Sequence, residues 1–181
     1  MRIEIVGTIF GTTGYDVHTR YIANTLYLLN DGDVNLNIPL TPNWESQVND
    51  NEMKMLSKPF IKDYVMIFIG QPQTWRFGLS NKPTKFYGYV IWEGDRVPLY
   101  WLEYLADKRV NGIFVPSNHV KEAIINTINT SKTLLEAQGK EILDKIYIIP
   151  HGVDLSHYSK DYSVFKPFNK IKMGERKNGK T

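Results

Sequence analysis

Apolar positions in this chain fall into short continuous runs separated by longer amphipathic or polar stretches. Ile3, Ile5, Val6 and Ile9 form the first run and predict a short buried strand near the N-terminus. From Tyr15 the spacing changes. Val17, Tyr21, Ile22, Thr25, Leu26 and Leu29 recur at helical intervals, and the segment stops near Asp31-Gly32. Val34 to Leu40 predicts a second strand. The stretch from Pro39 to Asn51, with Trp44, reads as a loop, and Asn51 to Leu56 as a short helix stopped before Pro59. Tyr64 to Ile69 is uninterruptedly apolar, as in a strand buried on both faces.

Gly70-Gln71-Pro72 then turns the chain, and a polar connection containing Trp75, Arg76 and Lys82-Pro83 leads to a further run from Lys85 to Trp92. After the turn from Glu93 to Pro98, a helix opening at Pro98 carries Leu99, Trp101, Leu102 and Leu105 on its apolar stripe. Gly112 to Val115 predicts a strand. Ser117 or Asn118 is placed to cap a helix bearing Val120, Ala123, Ile124 and Ile128. Ile146 to Ile149 predicts the sixth strand, closed by Pro150-His-Gly-Val-Asp154. Six short apolar runs alternating with helices or loops predict an α/β fold: a Rossmann-like parallel sheet with helices on both faces. In such sheets ligands sit outside the C-terminal strand ends. The turns predicted there are Gly11–Tyr15, Gly70–Gln73, Trp92–Arg96, Ser117–His119 and His151–Asp154.

Composition changes this picture little. At 181 residues the chain can hold one sizeable domain. The absence of cysteine removes disulfides, thiolate metal sites and a cysteine nucleophile from consideration. No run is long enough to cross a bilayer and no signal-peptide pattern precedes the first strand, so a cytoplasmic location is expected. Charge is uneven. From Lys166 to Thr181 six basic residues face one acid, so an overall +3 less a tail of +5 leaves −2 for the rest. With no aromatic residue among the last lysines, the tail reads as a solvated linker rather than a nucleic-acid site. The expected division is a domain over residues 1–160 and a basic linker over 161–181.

The loop Gly11-Thr12-Thr13-Gly14-Tyr15 joins the first strand to the first helix. There uncovered backbone N–H groups would stabilise an anion, and Thr12 and Thr13 add hydroxyl donors. The glycine spacing is neither the dinucleotide fingerprint nor a P-loop. A plain strand-to-helix turn is the alternative. Glu93, just beyond a strand beside Trp92, could receive a sugar hydroxyl or act as a base; otherwise it is an exposed turn acid paired with Arg96. His151 could donate to a phosphate or hydroxyl, or fix a chain reversal. His18 reads as an exposed helix histidine, and Arg20 as the better anion ligand of the two. Trp92 and Trp101 could stack on a sugar face, although tryptophan at helical spacing usually belongs to a core. No metal-ligand spacing and no nucleophile elbow occur.

Taken together, Gly11-Thr-Thr-Gly-Tyr15 with Arg20, Trp92-Glu-Gly-Asp-Arg-Val-Pro98 with Trp101, Phe114-Val-Pro-Ser117 and Ile149-Pro-His-Gly-Val-Asp154 resemble the N-terminal half of a GT-B glycosyltransferase of family 4, also called group 1. The match in order and spacing covers residues 1 to about 160. The resemblance implies two Rossmann-like domains facing a cleft. It implies retaining transfer of a sugar from a nucleotide sugar, with no cofactor and no metal ion. In the family the N-terminal half mainly holds the acceptor, and its first Gly-rich loop approaches the donor phosphates. By position that loop is Gly11, Thr12, Thr13, Gly14 and Tyr15; Arg20, Trp92, Arg96, Ser117 and His151 fall on the acceptor side, and Glu93 where relatives place an acceptor-side or catalytic polar residue. Several relatives carry histidine in that neighbourhood. The family's C-terminal half, which grips most of the nucleotide sugar, has no counterpart here, so a second domain in cis is the expected partner and this chain alone is expected to be inactive.

Two other readings compete. One is a free-standing, non-catalytic carbohydrate- or nucleotide-binding module. The other is a nicotinamide-dependent oxidoreductase, disfavoured because no acid follows the second strand and the glycine spacing is wrong. Membrane association would follow from a lipid acceptor, but no basic amphipathic helix indicates it.

Overall fold

A computed structural model describes residues 1–11, 13–38, 48–59, 62–131 and 136–152. Thr12, Trp44, Val153, Asp154 and the basic segment 161–181 lie outside the described residues. The elements in order are β1 (Arg2–Val6), α1 (Gly14–Leu29), β2 (Val34–Asn37), α2 (Asp50–Leu56), β3 (Tyr64–Ile69), α3 (Trp75–Ser80), β4 (Lys85–Tyr89), α4 (Trp101–Leu105), β5 (Val110–Val115), α5 (Asn118–Thr130), α6 (Glu136–Asp144) and β6 (Ile146–Ile148). The strands form one sheet in the order β2-β1-β3-β4-β5-β6, and every neighbouring pair is parallel. The fold is therefore α/β with an all-parallel sheet flanked by helices, as the alternation of apolar runs predicts.

The two sheet faces carry separate cores. Because side chains alternate along a strand, Ile5, Val34, Leu36, Ile69 and Tyr89 meet Ala23 of α1 and Met55 of α2. Val6, Met66, Phe68, Phe86, Ile113 and Val115 meet Trp75, Trp101, Leu105, Val120, Ile124 and Ile142. The second face is fitted around a missing side chain. Gly88 of β4 lies under the Trp75 ring, and a Cβ there would come within 2.1 Å of the indole. Trp75 is wholly buried and donates its Nε1–H to the Gly70 carbonyl at 3.1 Å. Where the β4–β5 register shifts between Phe86 and Tyr87, Asn111 repairs the ladder: its Oδ1 accepts the Phe86 N–H at 2.8 Å.

Several predicted boundaries move. β2 ends at Asn37 rather than at Leu40, and residues 39 and 40 lie outside the described set. β4 ends at Tyr89, not at Trp92. The Val90 N–H still bonds the Phe114 carbonyl at 2.9 Å, after which the chain leaves the ladder for α5. The connection containing Trp75 and Arg76 is the helix α3, preceded by a 3₁₀ turn over Pro72–Thr74. Pro98 precedes α4 instead of opening it; its carbonyl accepts the Trp101 N–H at 2.9 Å. β5 starts two residues earlier than its apolar run, at Val110.

Candidate functional site

Because all six strands run the same way, the predicted turns lie along one edge of the sheet. The order β2-β1-β3 reverses between β1 and β3, which makes the crevice above those two strands the topological switch point, the usual ligand position in open α/β sheets. The β1–α1 loop and Gly70-Gln71 flank it.

The β1–α1 loop is shaped by a residue that sequence reasoning passed over. Asp16, in the first turn of α1, reaches back and accepts the Gly11 N–H at 3.0 Å and the Thr13 N–H at 3.3 Å. It also accepts the Thr13 hydroxyl, while Thr13 is the N-cap that receives the Asp16 N–H. This is a capping box with Asp in the place usually taken by Glu or Gln. Gly11 is required by it, since a Cβ would lie 2.6 Å from the Asp16 carboxylate. Burial works to raise the Asp16 pKa. Hydrogen bonds from the Thr13 hydroxyl, the Gly11 N–H, the Thr8 hydroxyl and the Thr13 N–H outweigh it and hold the group below its ordinary value. The expectation of uncovered N–H groups is thus corrected at Gly11 and Thr13. A carboxylate of the chain itself already occupies them. The first-turn positions Gly14 and Tyr15 carry no such partner among the described residues.

Tyr15 crosses the crevice. Its hydroxyl donates to the Ile91 carbonyl at 3.1 Å, tying the start of α1 to the segment after β4. Burial raises its pKa, and the nearby Glu93 carboxylate raises it further. Glu93 itself is exposed, and its backbone carbonyl lies 3.1 Å from Nε2 of His119, at the start of α5. Among the described residues no ion pair joins Glu93 to Arg96. Arg96 is exposed, and its carbonyl accepts the Trp92 Nε1–H at 2.7 Å. Trp92 packs edge-on against Trp101 with centroids 5.0 Å apart, and Trp101 is wholly buried, so this pair belongs to the core rather than to a stacking platform. The rest of the segment is pinned to α5. The Val97 N–H donates to Thr127 Oγ1 at 2.9 Å, and Asn126 donates to the Asp95 carbonyl at 3.1 Å.

Arg20 does not face the switch crevice as a spare cation. It pairs at 3.4 Å with Glu52, a buried acid of α2 that also accepts Asn24 at 3.0 Å. Ser117 is the N-cap of α5 by position, but its side chain makes no capping bond. The largest correction concerns His18. It is only 3% exposed, with its ring centroid 4.3 Å from Tyr89 and 4.1 Å from His151. Burial first, and the adjacent His151 second, push its pKa down to about 4, and burial also lowers that of His151. Tyr89 Oη in turn donates to the Ile149 carbonyl, locking the end of β6 against β4. The periodicity of α1 could not reveal this, because both partners of His18 lie far along the chain.

The edge thus carries the exposed Glu93 carboxylate, the buried His18 imidazole with the His151 ring against it and the tethered Tyr15 phenol, groups that can hold hydroxyls. Among the described residues no group of three or more metal-ligating side chains occurs, and no helix is long and apolar enough to cross a membrane. No family model, curated protein or solved structure matches the chain.

Proposed function

We propose that this chain is the acceptor-side half of a retaining, metal-independent GT-B glycosyltransferase of the family 4 type. It would move a sugar from a nucleotide sugar to a hydroxyl acceptor and would be completed by a second Rossmann-like domain. The observation carrying the proposal is that the segments bearing the resemblance, Gly11–Tyr15, Trp92–Pro98, Pro116-Ser117 and Pro150-His151, all fall at the C-terminal edge of one parallel sheet. In this reading Glu93 orients or deprotonates the acceptor hydroxyl, and the first turn of α1 meets the donor. A nucleotide-sugar substrate also fits a cytoplasmic site of action.

Backbone NMR of the full chain titrated with UDP-, GDP- and ADP-sugars tests the proposal. Amide shifts confined to Gly14, Tyr15, Gly70, Glu93 and Ser117 are expected with one donor class. No shift at these positions with any donor or with any free hexose, at millimolar concentration, would overturn it. The capping of Gly11 and Thr13 by Asp16 favours a second reading, a carbohydrate-binding module without transfer, because it removes two donors that a diphosphate would use. That reading predicts shifts with free sugars and none with nucleotides.

A further inference from the structure

Helix α1 is apolar on two faces, and only one of them meets the sheet. Thr19 and Ala23 are buried there, with Ile22 and Leu26 packed partly buried beside them. Val17, Tyr21 and Leu28, with Thr25 among them, are exposed and recur at intervals of three and four residues, so they line a second stripe; Leu29 borders it. Leu28 and Leu29 leave 71% and 77% of their surface in water. A helix that is hydrophobic all round normally has neighbours all round.

Charge, position and size select the neighbour. The stripe carries no formal charge. Asp16 and Arg20 are the only Asp, Glu, Lys or Arg of α1, and they are committed to the β1–α1 loop and to Glu52. A lipid surface is held by helices whose polar flanks carry Lys or Arg, and the basic segment 166–181 calls for carboxylates; the stripe offers neither. It also runs away from the candidate site. α1 starts at the C-terminal strand edge, and its 16 residues carry it about 24 Å toward the opposite edge, where Asn30 donates to the Met1 carbonyl at 3.0 Å. A domain closing over the candidate site would leave Leu28 and Leu29 uncovered. An uncharged stripe is, however, self-complementary: against its own copy it meets no like charge, as a two-fold contact requires. We infer that the outer stripe of α1 is the interface through which two copies of this chain form an antiparallel two-fold dimer, whatever the candidate site binds. Antiparallel helices set their dipoles in opposition and bring the middles of the two stripes together. Tyr21 and Thr25 lie on either side of that middle, so their hydroxyls meet across the axis, and Leu28 of each copy covers Val17 of the other. One helix pair of this length buries less than the roughly 1,200 Å² of the smallest standard interfaces, so the dimer is weak and exchanging.

Sedimentation velocity of the full chain from about 5 to about 500 µM, a range that brackets weak association, should show the mass rising from one copy toward two. Over the same dilution, ¹H–¹⁵N spectra should shift at Val17, Tyr21, Thr25, Leu28 and Leu29 and stay fixed at Glu93 and Ser117. Leu28→Glu and Val17→Lys, both at exposed positions, should each weaken self-association at least about tenfold with unchanged far-UV dichroism. Mixed in equal amounts, the two variants should associate again, because their new charges are opposite and adjacent in the antiparallel pair. Phe77→Glu, at a similarly exposed apolar position on α3, should leave association within a factor of about two. A chain that stays monomeric throughout, a dimer indifferent to Leu28→Glu, or a mixture no stronger than its components overturns the inference. A monomer that binds phosphatidylcholine–phosphatidylglycerol vesicles, and loses them in Leu28→Glu, overturns it too and gives the stripe to a lipid surface.

Discussion

Asp16 and His18 sit two residues apart on α1, one capping the loop before the helix and the other buried against Tyr89 and His151. Asp16 satisfies the backbone N–H groups of Gly11 in the β1–α1 loop and of the N-cap Thr13. Asp16→Ala should therefore lower stability by about 2 kcal/mol, read from urea unfolding at pH 7. Because the Asp16 pKa is depressed in the folded state, this contribution is present above the ordinary carboxylate range and is lost as the pH falls through the folded value. The parent and the variant should converge in acid. His18 gives a second window. Its folded pKa near 4 lies below the unfolded value of 6.5, so the unfolded chain binds a proton that the native chain refuses. Stability should fall as the pH drops from 6.5 toward 4, by up to about 3 kcal/mol, and His18→Phe should remove that part of the slope. The comparison with a variant is needed because buried Glu4 has a raised pKa and contributes with the opposite sign. At this scale the sequence was only half legible. Thr13-x-x-Asp16 has the spacing of a capping box and could have been found. The burial of His18 could not, since it depends on β4 and on the turn after β6.

Among the elements, the segment from Glu93 to Val97 owes its position to α5 rather than to the strand it follows. Thr127 lies on the buried face of α5; its hydroxyl accepts the Val97 N–H at 2.9 Å and lies 2.9 Å from the Ala123 carbonyl, the usual back-bond of a helical threonine. Thr127→Val keeps the shape and strands a buried N–H, so a loss of about 1–3 kcal/mol is expected in chemical unfolding, with amide shifts centred on Glu93 to Val97. Gly88→Ala should cost about 3 kcal/mol or more, because the Trp75 ring leaves no room for a methyl group and cannot move without breaking its bond to Gly70. Intrinsic Trp fluorescence during urea unfolding checks this. Continuous apolar strands such as Tyr64–Ile69 were legible because burial on both faces writes itself directly into composition. α3 was not. It is six residues long, opens after a proline turn and contains Gly78, which is there because Met66, Phe68 and Phe86 crowd its Cβ position. α6 was passed over for a similar reason: only Gly139 and Ile142 are buried on it.

Across the whole sheet, stability should be graded from the centre to the β6 edge. β1, β3, β4 and β5 each pair on both sides, whereas β6 is three residues long, pairs only with β5 and exposes Tyr147 and Ile148, with Ile149 exposed just after it. Short, exposed edge elements open at lower free energy than the strands they border. Here the opening has a consequence for the edge that carries the candidate site. The Tyr89–Ile149 hydrogen bond and the ring contacts of His151 both depend on β6 staying in place. Fraying of β6 would therefore uncover His18 without unfolding the sheet. Native-state hydrogen exchange should show the amides of β6 exchanging first, with β1 and β3 exchanging only on global unfolding. Tyr89→Phe removes the bond to Ile149 but keeps the ring against His18. It should speed exchange at Tyr147 through Ile149 several-fold while leaving β1 and β3 amides within a factor of about two. Uniform acceleration in all strands would instead mean that β6 belongs to the global unit and does not open separately.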